Sequence, residues 1–102
     1  MEYAISDVAR IIGAKTSKLH ECTISILLTD SRRISFPEPS LFFALTTMTN
    51  DGHKYVADLY KSRVRNFVVC KMLPEYEQMQ DANFLLVKDV LRALQKLVIF
   101  HR

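Results

Sequence analysis

The chain has 102 residues, of which 49% are apolar and 25% are charged, and its formal net charge is +3. This length suits one small domain with a core of its own, and the composition excludes a disordered chain. The positive charge is small and is spread along the chain, so we expect no nucleic-acid partner.

The sequence contains no recognisable targeting or membrane segment. Every apolar stretch is shorter than the ~20 residues that cross a bilayer, and the first ten residues do not resemble a signal peptide. Cys22 and Cys70 lie far apart, in or beside apolar stretches, and are interpreted as free thiols. We therefore expect a cytoplasmic protein that does not associate with membranes.

The predicted elements alternate between helix and strand. Ser6 and Asp7 are predicted to cap a short first helix, which Gly13 would end. Further helices are predicted at 54–64 and, capped by Asp89, at 89–100, with one helical turn after Pro74. Apolar runs predict four strands, at 24–28, 41–45, 67–70 and 84–87. This order favours an α/β fold, a small layered domain with a mostly parallel or mixed sheet of four to five strands flanked by helices.

The strand at 41–45 lies between two polar clusters, at 29–33 and 46–51. Its continuous apolar run is typical of a strand buried on both faces, and the two prolines before it belong to a loop. Gly52 closes the second cluster in a predicted turn, where a glycine is free to take a positive φ. In open α/β sheets ligands collect at the carboxyl ends of strands, where the second cluster would lie.

Several kinds of catalytic site are excluded by the residues present. Gly13 and Gly52 are the only glycines, so neither a phosphate loop nor a dinucleotide-binding fingerprint can be formed. We expect no ATPase or ligase activity from this chain by itself and no catalytic residue in it. The three histidines show no metal-binding spacing, so no metal site is predicted.

The polar clusters suit a nucleotide diphosphate, which requires hydroxyl and N–H donors and a cation on a fixed platform. Suitable groups are carried by Ser31, Arg32, Thr46, Thr47 and Thr49. A purely structural interpretation is also open at this point. Asp30 and Arg32 can pair with each other, and threonines are common turn residues after strands.

Three motifs together resemble the N-terminal domain of the Mur ligases that add the third and later residues of the peptidoglycan peptide. These motifs are Asp-Ser-Arg at 30–32, Leu-Phe-Phe-Ala-Leu at 41–45 and Asp-Gly-His at 51–53. The resemblance implies a domain that binds the UDP moiety of a UDP-N-acetylmuramoyl-peptide. The UDP-binding residues that it implies are Thr29, Ser31, Arg32, Thr47, Met48, Thr49 and Asn50. Thr47 departs from the family, which usually has glycine there, and its Cβ restricts positive φ and close backbone approach.

The resemblance also implies what the rest of the protein does. Residues 1–102 would be one substrate-binding domain, and ATP and Mg would belong to central and C-terminal ligase domains outside this chain. The loop and strand at 36–45 most resemble the enzyme that adds D-alanyl-D-alanine, which in some bacteria is fused to an alanine racemase that uses pyridoxal phosphate. The apolar end at 98–100 is expected to face a following domain. The alternatives are the ligase that adds the third residue and a non-catalytic α/β interaction domain that docks a partner through helix 89–100.

Overall fold

The computed structural model describes residues 2–31 and 34–101. The strands in that part of the chain are β1 (Tyr3–Ala4), β2 (Thr23–Ile24), β3 (Ile26–Leu28), β4 (Ser40–Phe43), β5 (Asn66–Val69) and β6 (Asn83–Leu86). The α-helices are α1 (Ile5–Ile12), α2 (Val56–Lys61) and α3 (Val90–His101). Two 3₁₀ helices, Gly52–Tyr55 and Pro74–Gln78, precede α2 and β6.

The main sheet consists of four parallel strands in the order β3, β4, β5, β6. The predicted strands at 41–45, 67–70 and 84–87 are confirmed, although each begins one residue earlier than predicted. Every residue of β4 and of β5 is buried, as expected for strands covered on both faces. The predicted α/β fold with a mostly parallel sheet is confirmed.

Helices cover both faces of this sheet, because alternate side chains of a strand point to opposite sides. Leu41 and Phe43 pack with α1 and α3, whereas Phe42 and Ala44 pack with α2 and the two 3₁₀ helices. Burying one such large apolar side chain stabilises the fold by about 1.5–3 kcal/mol. The run at 41–45 therefore lies between two separate apolar layers, one on each face of the sheet.

The predicted strand at 24–28 is divided between two sheets. Thr23–Ile24 pairs antiparallel with Tyr3–Ala4, and Ile26–Leu28 joins the edge of the main sheet. The change of partner occurs at Ser25, where the N–H groups of Ser25 and Ile26 both donate to the carbonyl oxygen of Pro39, at 3.0 and 3.2 Å. The sequence did not predict β1, whose two residues are too few to show a periodic pattern.

The two ends of α1 differ in how well they were predicted. Gly13 ends the helix in the left-handed region, with φ of 68°, as expected. The predicted cap at Ser6 and Asp7 is wrong, because both lie inside the first turn and Ala4 takes the cap position without a side-chain bond. Ser6 instead donates to Glu21, and Asp7 pairs with Arg10 at the helix surface.

The helix predicted at 54–64 forms in two parts, the 3₁₀ helix Gly52–Tyr55 and then α2. Its predicted apolar face is confirmed by Val56 and Leu59, which are buried. The chain leaves α2 through Arg63, whose φ of 77° lies in the left-handed region that ends many helices.

The predicted cap of α3 is confirmed, since Oδ1 of Asp89 accepts the N–H of Arg92 at 3.1 Å. Within residues 2–31 and 34–101, no helix is long and apolar enough to cross a membrane.

Candidate functional site

The described residues of both polar clusters lie at the carboxyl edge of the main sheet. Residues 29–31 follow β3, and residues 46–51 form the loop between β4 and the 3₁₀ helix Gly52–Tyr55. Because β3 and β4 are parallel neighbours, the segments that follow them emerge at the same edge. The hypothesis that the two clusters converge there is confirmed for part of each.

The point of convergence is an open cleft of about 430 Å³, which we call the polar cleft. It is lined by Thr29, Asp30, Ser31, Asn50 and Tyr55. Three of the predicted site residues, Thr29, Ser31 and Asn50, thus surround one space. The predicted Arg32 lies outside the described residues. The volume lies within the range of small-molecule sites, about 300–1,000 Å³.

Thr47 shapes the loop and does not line the polar cleft. Its N–H donates to the carbonyl oxygen of Asn50 at 2.7 Å, and its hydroxyl accepts the N–H of Asn50 at 3.1 Å. Thr47 is not among the described residues with positive φ. A threonine therefore fits this position without strain and fixes the turn that presents Asn50. The exposed Met48 and Thr49 also lie on this loop, outside the lining.

Three of the polar residues that line the cleft are available to a ligand. Within the described chain, the hydroxyls of Thr29 and Ser31 and the carboxamide of Asn50 have no hydrogen-bond partner. Sequence reasoning missed Tyr55, which brings a half-buried aromatic ring to the cleft and has the ammonium of Lys54 5.2 Å from its ring centroid. Tyr55 lies two residues after His53, at the start of the predicted helix. Its closeness to the polar cluster was the sequence signal that could have assigned it to the cleft.

Asp51 and Gly52 hold the loop against the sheet. The carboxylate of Asp51 binds Lys71 at 2.7 Å and accepts the N–H of His53 at 3.0 Å, and these bonds hold its pKa far below the usual range. A Cβ on Gly52 would lie only 2.8 Å from the backbone N and O of Leu45. The φ of Gly52 is not positive, so the glycine does not use its conformational freedom here and is required instead by close packing.

His20 and Cys22 have structural partners away from the polar cleft. His20 and Cys22 contact Asn66 and Asn83, which lie side by side on β5 and β6 at the opposite edge of the sheet. Among the described residues no group of three or more histidine, cysteine or acidic side chains could hold a metal ion. The arrangement of the polar cleft suits recognition of a polar ligand rather than metal chemistry.

No family model matches the chain, but comparison with known proteins found relatives in both sequence and structure. Over 71 residues, 70% of the chain, it is 34% identical to UDP-N-acetylmuramoyl-L-alanyl-D-glutamate–2,6-diaminopimelate ligase of Cytophaga hutchinsonii. Its fold is similar to that of MurF from Acinetobacter baumannii, with a TM-score of 0.79 and 19% identity over 94% of the chain. The matches span only 14% and 20% of the two relatives. The predicted likeness to the Mur ligase N-terminal domain is confirmed, whereas the racemase fusion stays a prediction.

Proposed function

We propose that this chain, a domain of the Mur ligase N-terminal type, binds the UDP end of a UDP-N-acetylmuramoyl-peptide during peptidoglycan precursor synthesis. The sequence relative is named for a ligase that acts on UDP-N-acetylmuramoyl-L-alanyl-D-glutamate. In the whole protein, ATP, Mg and the central and C-terminal domains would perform the ligation. The UDP-N-acetylmuramoyl end is common to the ligases that add the third residue and those that add D-alanyl-D-alanine. The proposal therefore holds for either, and the D-alanyl-D-alanine assignment stays a prediction.

The observation that carries this proposal is that Thr29, Ser31 and Asn50 bring side-chain groups without protein partners to one cleft. Uracil presents both donors and acceptors, and the carboxamide of Asn50 offers both in return. The ring of Tyr55 provides a surface on which a base can stack, an interaction worth about 1–3 kcal/mol. The hydroxyls of Thr29 and Ser31 can donate to ribose or phosphate oxygens.

Of the remaining predicted site residues, Thr47 is proposed to act indirectly, by holding the turn that presents Asn50. Met48 and Thr49 are exposed on the outer part of the same loop. We propose that they approach the ligand only when the other ligase domains are present.

The test is a titration of the 102-residue chain with UDP, in which NMR measures the backbone amide chemical shifts at each UDP concentration. UDP is expected to shift the amides of Ser31, Asn50 and Tyr55. The change Ser31→Ala should weaken binding by about three- to a hundredfold, the effect of losing one hydrogen bond to a neutral or a charged group. Ser17→Ala is the matched control, because Ser17 is exposed and does not line the polar cleft. Equal affinities for wild type and Ser31→Ala would remove the proposed site.

A second candidate, a protein-interaction domain, is favoured by one observation. α3 exposes Leu91, Val98, Ile99 and Phe100, which are between 45% and 66% accessible to solvent. A domain with this function alone would show no saturable shifts at Ser31 and Asn50 when UDP is added. The same titration therefore separates the two functions.

A further inference from the structure

A second cleft, of about 450 Å³, lies at the other end of the same sheet edge, and we call it the basic cleft. Four cationic side chains line it, those of Lys15, Lys88, Arg92 and Lys96. Asp89 supplies the single carboxylate among its lining residues. This concentration of positive charge contrasts with the weak net charge of the whole chain, which is +3.

The fold gathers these four residues from distant parts of the sequence. Lys15 pairs with Leu86, the last residue of β6, in an antiparallel bridge of two backbone hydrogen bonds. The N···O distances of these bonds are 2.8 and 2.9 Å. Lys88 lies in the turn from β6 into α3. Arg92 and Lys96 are four residues apart on α3, so they lie on one face of the helix.

The positive charge of the basic cleft is offset only in part by the one carboxylate among its lining residues, that of Asp89. None of the four cationic side chains has a hydrogen-bond or ion-pair partner there, whereas Arg65 pairs with Asp81. One carboxylate oxygen of Asp89 is used to cap α3. Four cations around one cavity repel each other, and a bound anion would relieve that repulsion.

The walls of the cleft strengthen its attraction for an anion. Its lining includes the aliphatic side chains of Ile12, Leu86 and Val87, two of them half-buried and one buried. A cleft lined by one sign of charge with low-dielectric walls focuses the electric field into its interior. Lysine and arginine supply several N–H donors each, and such donors bind phosphate oxygens well.

We infer that the basic cleft binds a multiply charged phosphate group of the pyrophosphate type. A smaller cleft of about 240 Å³ adjoins it, sharing Cys70, Lys88 and Asp89 and reaching Thr46 on the loop that carries Asn50. In the strand order, β6 lies two spacings from β4 and three from β3, so the basic cleft is roughly 10 to 15 Å from the polar cleft. The anion can therefore be the diphosphate of the nucleotide proposed for the polar cleft, an interpretation that rests on the proposed function, or it can be a separate phosphate compound.

The first experiment uses inorganic pyrophosphate alone and the 102-residue chain. Pyrophosphate is expected to shift the amides of Lys88 and Arg92, and its affinity should fall as salt is added. The double change Lys88→Gln with Arg92→Gln should weaken this binding by about tenfold or more, because two charged hydrogen bonds are lost. Lys18→Gln with Lys61→Gln removes the same charge from exposed positions outside the basic cleft and should have little effect. Absence of saturable shifts, or equal weakening by both pairs, overturns the inference.

Two further ligands identify the source of the phosphate. If the diphosphate of UDP occupies the basic cleft, the Lys88 and Arg92 changes weaken UDP binding but leave uridine binding unchanged. If a separate phosphate compound is the ligand, they weaken pyrophosphate binding and leave UDP binding unchanged. Failure of uridine and UDP to bind, with pyrophosphate still bound, would remove the proposed function and leave the basic cleft in place.

Discussion

His53 and Asp51 fix each other's geometry at the start of the 3₁₀ helix Gly52–Tyr55. The ring Nδ1 of His53 lies 2.7 Å from Oδ1 of Asp51, and the His53 side chain is almost fully buried. The ring Nε2 lies 3.1 Å from the backbone nitrogen of Cys70, which can only donate. Nε2 is therefore the acceptor, and Nδ1 carries the proton that is donated to Asp51. This pair ties the loop after β4 to the end of β5.

We predict that Asp51→Asn lowers the free energy of unfolding by about 1–3 kcal/mol, because it removes a charged acceptor from His53 and from Lys71. Chemical denaturation at neutral pH measures this loss. Asp58→Asn, at an exposed position of α2, is the control and should change stability by no more than about 0.5 kcal/mol. A loss for Asp51→Asn no larger than that of the control would contradict a stabilising role for the pair.

The stability difference between wild type and Asp51→Asn should also depend on pH. Hydrogen bonds from Lys71 and His53 lower the pKa of Asp51, and the bond to Asp51 raises the pKa of Lys71. A lowered carboxyl pKa stabilises the fold above the unfolded value of about 3.9, and a raised lysine pKa does so below about 10.4. The difference should be largest between these values, shrink as acid protonates Asp51, and shrink in strong alkali. Denaturation curves across this pH range would contradict the assignment if the difference stayed constant.

Gly52 provides a prediction that separates packing from backbone conformation. In Gly52→Ala, the new Cβ would lie 2.8 Å from backbone atoms of Leu45 and 3.0 Å from those of Ala44. Rigid backbone cannot yield as a flexible side chain does, so the variant should lose about 1–3 kcal/mol of stability or more. Gly13→Ala meets no atom within 4 Å and should cost only about 1–2 kcal/mol, through its positive φ. Thermal unfolding of both variants tests this order, and a less stable Gly13→Ala would contradict it.

The sequence predicted the parts of this fold that depend on periodicity and failed where tertiary contacts decide. The apolar runs located the parallel strands of the main sheet, and Gly13 located the end of α1. The runs could not show that the chain changes sheets at Ser25, since that depends on two bonds to Pro39. Three lining residues of the polar cleft, Thr29, Ser31 and Asn50, were predicted, whereas Tyr55 was not, because the face of a helical segment that meets a cleft is decided by tertiary packing.

Tyr76 is a position where a conservative change should not harm the protein. Its ring stacks on Phe84 with centroids 4.4 Å apart, but its buried hydroxyl has no hydrogen-bond partner in the described chain. Burial also raises the pKa of this hydroxyl above its usual range. Because an unpaired buried hydroxyl is costly, Tyr76→Phe should leave the free energy of unfolding unchanged or raise it by up to about 1 kcal/mol. Tyr76→Ala should lower it by about 3–5 kcal/mol through loss of the ring, and urea denaturation of both variants makes the comparison.

The last turn of α3 contacts the side chain of Tyr3 from β1. Val98, Ile99 and Phe100 are 45%, 66% and 55% exposed, so the core holds this turn weakly. Tyr3 holds it from outside, with its hydroxyl 3.0 Å from Nδ1 of His101 and its ring 6.1 Å from that of Phe100. Native-state hydrogen exchange should therefore be faster from Val98 onward than in the first two turns of the helix.

The change Tyr3→Ala tests this contact directly. Removing an aromatic pair is expected to speed exchange of the last-turn amides by about two- to tenfold, with little change at the start of α3. Ile99→Ala is the control, because it removes an exposed apolar side chain from the same turn and leaves Tyr3 in place. Strong protection through Phe100 in the Tyr3→Ala variant would contradict the prediction and mean that the core itself holds the end of the helix.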